Sequence, residues 1–184
     1  MENNHGRKRA AVLAAYLLGA ALLVVLDQVS KLAARAALKG EPSFPLIDGI
    51  FELSYLENRG MAWGLLQGGR WLFLAGTVLV LALIVWFFLK APLTKRFFPL
   101  RLTLAVLAAG AAGNLIDRLF RGYVIDFFYF SLIDFPIFNV ADCYVVAAGI
   151  AFVLLFFFYY KDEDFETLIP RRFKKRKKSG GEGA

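Results

Sequence analysis

The sequence predicts a mainly α-helical membrane protein with four transmembrane helices, a small extracytoplasmic β-sheet and both termini in the cytoplasm. Three observations carry the spans and their orientation, and the alternation at Phe51–Tyr55 carries the strand. Apolar residues make up 59% of the 184-residue chain and mean hydropathy is +0.57, whereas soluble domains are closer to half apolar. These residues collect in four stretches without charge, Ala10–Leu26, Trp71–Leu89, Leu102–Ile116 and Cys143–Tyr160. Charge is also lopsided. With four spans the two termini share a side with the 90–101 loop, and that side holds fifteen Lys and Arg against six acids, while the other holds seven against nine. Lys and Arg excess marks the cytoplasmic face, so segments 27–70 and 117–142 face outward. The net charge of +7 therefore reports topology and not nucleic-acid binding.

Residues 1–9 read as a polar tail. Arg7, Lys8 and Arg9 could lead a cleaved signal peptide, but the apolar run is long for one. Asp27 and Lys31 also stand where a small-residue cleavage site would sit, which makes the first stretch a retained span. Its helix continues to about Leu38, with Asp27 and Lys31 at i and i+4 on one face in the favourable acid-first order. Gly40, Pro42, Pro45 and Gly49 then interrupt it. Phe51, Leu53 and Tyr55 alternate with Glu52 and Ser54, a period of two that predicts a short strand. The segment Asn58-Arg59-Gly60-Met61-Ala62-Trp63-Gly64 combines turn residues with a Trp suited to the headgroup level.

The second helix is expected from near Trp71, and Lys90, Pro92 and Pro99 bracket the loop after it. The third stretch is short. It reaches the roughly 20 residues a bilayer core demands only if Asp117 and Arg118 enter its helix end. Its run of small residues from Ala108 to Gly113 lets backbones approach closely, which predicts a central position. Gly122 ends it, Tyr123–Phe130 reads as extended or re-entrant, and Pro136 and Asn139 lead into helix four. Residues 1–163 are expected to form one domain. Residues 164–184 are expected to be a basic, disordered cytoplasmic tail whose Arg171–Lys178 run lies on anionic lipid.

His5 is the sole histidine and Cys143 the sole cysteine. This excludes an intrachain disulfide, Ser-His-Asp and Cys-His catalysis, and most zinc chemistry; no metal or cofactor is expected. Carboxylates, amides, Lys, Arg and Tyr remain. Charged groups at membrane depth are costly and point to function. They gather near the outer helix ends as Asp27/Lys31, Asn58/Arg59, Asn114/Asp117/Arg118, Asp126 and Asn139/Asp142. Simpler roles exist for some: an ion pair for Asp27/Lys31, neutralisation of an acid by Arg118, an N-cap for Asn139, a helix-start carboxylate for Asp142. Asp134 reads as a solvated loop residue. Two carboxylates held close cannot both ionise easily, so one can keep a proton while the other takes one from water. Intramembrane acids also suit a small proton- or ion-coupled transporter. Against that reading, no polar path crosses the cytoplasmic half of any span and no inverted repeat is present.

Five blocks, Asp27-Gln28-Val29-Ser30-Lys31, Asn58-Arg59-Gly60-Met61-Ala62-Trp63, Gly113-Asn114-Leu115-Ile116-Asp117-Arg118, Gly122-Tyr123-Val124-Ile125-Asp126-Phe127 and Phe138-Asn139-Val140-Ala141-Asp142, resemble in order those of the bacterial lipoprotein signal peptidases (signal peptidase II). The resemblance covers about residues 10–160. It implies an aspartyl endopeptidase of the bacterial cytoplasmic (inner) membrane that cleaves diacylglyceryl-modified prolipoproteins just before the lipidated Cys. It also implies a small sheet that cradles the substrate, and inhibition by globomycin-like cyclic peptides. On this chain the implied catalytic pair is Asp126 and Asp142. Asn58, Gly60, Asn114, Asp117, Arg118 and Asn139 would bind substrate or support the pair, and Asp27 and Lys31 would be structural. The implied partners are the diacylated prolipoprotein and membrane lipids. Cys143 and Met61 depart from the family pattern at positions usually held by smaller residues, and the basic C-terminal extension has no counterpart carried over.

Overall fold

The computed structural model describes residues 2–60 and 70–168. Met61 and Trp63 of the interfacial segment, and the Arg171–Lys178 run, lie outside the described residues.

Helix α1 spans Glu2–Leu38. It ends where the sequence predicts, but it takes in residues expected to be a polar tail. Arg, Lys and Ala are good helix formers and no proline interrupts them, so the helix has no reason to stop at the apolar boundary. At 37 residues it is about 55 Å long, well beyond the hydrocarbon thickness of a bilayer. Strands β1 (Phe44–Ile47) and β2 (Phe51–Asn58) follow, then α2 (Arg70–Lys90), α3 (Phe98–Phe120) and β3 (Val124–Tyr129). A single 3-10 turn at Ser131–Ile133 precedes α4 (Val140–Leu154), which runs on as a π-turn to Tyr159; α5 (Asp162–Leu168) closes the described chain.

Gly6–Leu38, Phe98–Phe120 and Val140–Tyr159 are long and apolar enough to cross a membrane, and Leu74–Lys90 is a shorter apolar helix. Polarity is inverted relative to a soluble protein. Leu18, Leu22, Val25 and Val29 of α1 are exposed, while Asp27 and Lys31 of the same helix are fully buried. Lipid takes the outward side chains, and the charges face protein where they can be paired.

Helix α3 packs against α1, α2 and α4, the central position its small residues predict. A Cβ on Gly113 would lie 2.5 Å from Asp27 Oδ2, and one on Gly110 would lie 2.6 Å from the carbonyl oxygen of Ala141. Only a hydrogen fits at either place, so these two glycines set how closely α1 and α4 approach α3. The helix does extend through Asp117 and Arg118, which gives the short third apolar stretch its spanning length.

The three strands form an antiparallel sheet in the order β1-β2-β3. The segment expected to be extended or re-entrant is β3. The strand predicted around Phe51–Tyr55 forms and continues to Asn58. Nearly all of β2 is half-buried instead of alternating. One face of the sheet packs with Ala34 and Leu38 at the end of α1 through Ile125 and Phe127, and Phe51, Phe128, Phe130 and Phe138 stack on one another alongside. Cross-strand pairing sets Leu56 opposite Asp126 and Asn58 opposite Val124, which brings the end of β2 beside the acid of β3.

Candidate active site

Sequence-local geometry aims the first side chains. Asn139 caps α4: its Oδ1 accepts from the Asp142 amide at 3.1 Å, and Asp142 Oδ2 accepts from the Asn139 amide at 3.1 Å. The simple readings of both residues are therefore correct as far as they go. This reciprocal capping box occupies one Asp142 oxygen and fixes the direction of the other. Asp142 Oδ1 then accepts from Asn114 Nδ2 of α3 at 2.7 Å.

Asp126, 2% exposed, sits on β3 outside the spanning helices. Asn58 Nδ2 donates to its Oδ2 at 2.9 Å, and Asn139 Nδ2 donates to its Oδ1 at 2.5 Å. Gly60 acts one step back: its amide donates to Asn58 Oδ1 at 3.0 Å, which leaves the Asn58 NH₂ turned toward Asp126. Asn139 thus touches both carboxylates. Burial raises the Asp126 carboxyl from its ordinary value to about 7, with the neighbouring Asp142 adding to the rise and the amide donors opposing it. Arg118 is half-buried, within electrostatic reach of Asp142, Asp126 and Asp117.

The other two acids have different surroundings. Lys31 Nζ lies 2.9 Å from Asp27 Oδ2 and 3.2 Å from Asp117 Oδ2, with all three side chains fully buried. Lys31 also donates to Asn114 Oδ1 at 2.8 Å. Asp27 Oδ1 accepts the Ala141 amide at 3.0 Å, and Asp117 Oδ2 accepts the Ile125 amide at 3.2 Å. Asp117 Oδ1 pairs with Arg121 one turn on. Gln28 Nε2 donates to Asp27 Oδ2 and Asp117 Oδ1, both at 3.1 Å, while Gln28 Oε1 accepts from Arg121 at 3.0 Å. Asp27 thereby holds the start of α4, and Asp117 holds the start of β3.

Asn58, Gly60, Asn114, Asp117, Arg118, Asp126, Asn139, Asp142, Asp27 and Lys31 are thus brought together at one end of the bundle. Arg59 is not. It lies 3.5 Å from Glu57 and over the ring of Tyr123 at 5.5 Å, on the exposed side of the sheet. There Lys39 Nζ, 2.7 Å away, holds the Glu57 carboxyl down at about 2. Asp134 is exposed in the loop, accepting from the Tyr129 hydroxyl at 2.7 Å. Gln28 and Arg121 were given no role from sequence. Arg121 carried a signal, being four residues after Asp117; Gln28 lies within the first motif block, but its partners come from a distant helix.

The assembly is two carboxylates that accept from amides, with Arg118 within electrostatic reach of both, beside two carboxylates in direct contact with cations. The family described as Signal peptidase (SPase) II matches residues 19–158. A lipoprotein signal peptidase of Streptococcus pyogenes serotype M6 is 40% identical over 152 residues, covering 82% of this chain and 95% of that protein. The lipoprotein signal peptidase of Halothermothrix orenii is 38% identical over 135 residues, covering 73% and 89%. Two bacterial membrane enzymes solved by the in meso method share the fold. One, at 2.3 Å resolution, has TM-score 0.67 and 29% identity, covering 91% of this chain and 95% of its own. The other, at 1.9 Å resolution, has TM-score 0.69 and 31% identity, covering 80% and 95%. The motif blocks, the fold and these similarities agree: the chain belongs to the signal peptidase II family, the peptidases that cleave signal peptides from prolipoproteins.

Proposed function

We propose that Asp126 and Asp142 are the catalytic dyad of this peptidase, and that it cuts a diacylglyceryl-modified prolipoprotein just before the lipidated Cys. The observation that supports this reading most directly is the difference in partners. Asp27 and Asp117 are each in direct contact with a cation, whereas Asn58, Asn114 and Asn139 donate to Asp126 and Asp142, with Arg118 within electrostatic reach of both. A carboxylate in direct contact with an ammonium or guanidinium is tied up in an ion pair and is not free to meet a water. One held by neutral amides can exchange a proton.

Asp126, the more buried and the one whose carboxyl rises to about 7, carries the shared proton. Asp142 takes a proton from water, and the water attacks the scissile carbonyl carbon while Asp126 donates to the carbonyl oxygen. The proton held on Asp142 then passes to the leaving amine as the carbon–nitrogen bond breaks, and the hydroxyl formed from the carbonyl oxygen returns its proton to Asp126, which restores the pair. The pair titrates as a unit. Asn58, Gly60, Asn114, Arg118 and Asn139 orient the dyad or the substrate backbone, Asp117 supports it, and Asp27 and Lys31 hold the frame.

The chain crosses the bacterial cytoplasmic membrane four times as a single domain, with both termini and the basic tail cytoplasmic and the dyad at the extracytoplasmic face. The sheet cradles the substrate there, and globomycin-like cyclic peptides compete for the same place. The Lys and Arg distribution supports this orientation. Family membership sets aside the ion-coupled transporter. The test is cleavage of a diacylated prolipoprotein by the purified protein in nanodiscs. Asp126→Asn and Asp142→Asn should each lower kcat by about 10²–10⁴-fold, and full activity in either variant sinks the dyad.

A further inference from the structure

The opposite end of the bundle holds a second buried polar group that peptide cleavage does not use. Arg101, in the first turn of α3, is 3% exposed, and its Nε and Nη1 have no hydrogen-bond partner among the described residues. Nor does it form an ion pair with a described acid. The ring of Tyr16 on α1 lies 5.2 Å from its guanidinium, and the Tyr16 hydroxyl is likewise buried and unpartnered. An unpaired buried guanidinium is costly, which makes such a residue a site until shown otherwise.

Both side chains line a cavity of about 580 Å³ between the α1 start and the α2–α3 loop. Lys95 lines it too, and Leu93, Phe98 and Leu102 supply an apolar wall. A second cavity of about 420 Å³ shares Val12 and Leu93 with the first and adds Lys8, Arg9 and Lys90. The described walls of the two carry five Lys or Arg and no acid. Arg101 stands sixteen residues before Asp117, about 24 Å along α3. That approaches the thickness of a hydrocarbon core and puts the cavity at the headgroup level of the leaflet away from the carboxylates.

We propose that this cavity binds the phosphodiester headgroup of an anionic phospholipid. The phosphate sits between Arg101, Tyr16 and Lys95, and the glycerol and first methylenes lie on the apolar wall. Guanidinium geometry suits phosphate oxygens. Polar donors beside an apolar wall favour a lipid over a free phosphate, which has nothing to place there. The basic lead of a signal peptide is excluded by charge.

The full chain is reconstituted in nanodiscs of phosphatidylcholine with and without phosphatidylglycerol, and lipid retained after delipidation is read by native mass spectrometry alongside the thermal midpoint. Wild type should retain phosphatidylglycerol and gain in midpoint. Arg101→Gln should retain it about tenfold more weakly, the loss of one charge-assisted contact. Lys95→Gln, on the loop, should weaken retention less and stands in if Arg101→Gln fails to fold. Equal retention by wild type and the folded variants overturns the site, as does a wild type that retains no phosphatidylglycerol. Inorganic phosphate should leave the midpoint unchanged in phosphatidylcholine alone; if it reproduces the full gain, the lipid assignment is overturned.

Discussion

Asp27 and Asp117 lie on α1 and α3; Asp126 and Asp142 lie on β3 and α4. All four are the same residue at the same end of the bundle, yet they meet different partners. The α1–α3 pair shares Lys31, with Arg121 added at Asp117. Each acid of the β3–α4 pair is bonded by amides, Asn139 touches both, and Arg118 is within electrostatic reach of both. The first pair is a cation-bound frame that fixes where α4 and β3 begin. The second pair is the proposed dyad, in which burial raises the Asp126 carboxyl. On the proposed assignment, direct ion pairing and not residue type separates the frame from the dyad.

The comparison is tested most severely by exchanging one residue of each kind. Asp142→Asn should abolish cleavage and cost about 1 kcal/mol of stability, since its single oxygen can accept from Asn114 Nδ2 or from the Asn139 amide but not from both. Asp117→Asn should do the reverse. It leaves a buried Arg121 contact uncompensated and halves the charge facing Lys31, so unfolding in detergent should show a loss of about 3–5 kcal/mol, while the protein that remains folded cleaves within about tenfold of wild type. If Asp117→Asn instead silences the enzyme with an unchanged midpoint, Asp117 belongs to the reacting pair and the division is wrong.

A smaller effect comes from the two close contacts on α3. Gly113→Ala drives a methyl group against Asp27 Oδ2, whereas Gly110→Ala drives one against the backbone of Ala141, next to Asp142. Both should cost about 1–3 kcal/mol as overpacking. Gly110→Ala presses on the backbone of the helix that carries Asp142, whereas Gly113→Ala meets that helix at the Ala141 side chain, 3.3 Å away, so kcat should fall further in Gly110→Ala at equal loss of midpoint. Equal kcat in the two variants shows that the frame and the site move together.

What the sequence revealed follows range. The Asp27/Lys31 pair, the Asn139/Asp142 cap and the passage of α3 through Asp117 all depend on residues three or four apart, where helix geometry alone decides who meets whom. Lys31 to Asn114 and Gln28 to Asp117 are 83 and 89 residues apart. Those contacts exist because Gly113 lets α1 come close, and no spacing rule announces them. The motif blocks named these residues without saying which acid would draw the lysine. Arg101 shows the same limit from the other side. In the sequence it is one more cation of a basic loop; in the fold, α1 and the loop close over it.

The finest test concerns Asn58, the donor that β2 extends to Asp126 at 2.9 Å. Burial raises that carboxyl to about 7, and the Asn58 hydrogen bond works against the rise because it favours the ionised form. If Asp126 supplies the proton to the carbonyl oxygen, kcat/KM should fall as pH climbs through about 7, where Asp126 loses that proton. Asn58→Ala removes a donor from the ionised state only, so the limb should move to higher pH. At pH 6, where Asp126 keeps its proton in both proteins, the variant should lose about fivefold, the worth of one orienting hydrogen bond of about 1 kcal/mol. If the limb that Asn58→Ala moves to higher pH is instead the acid one, on which activity rises with pH, Asp126 acts as the base and Asp142 holds the proton. The dyad would stand and the roles within it would exchange.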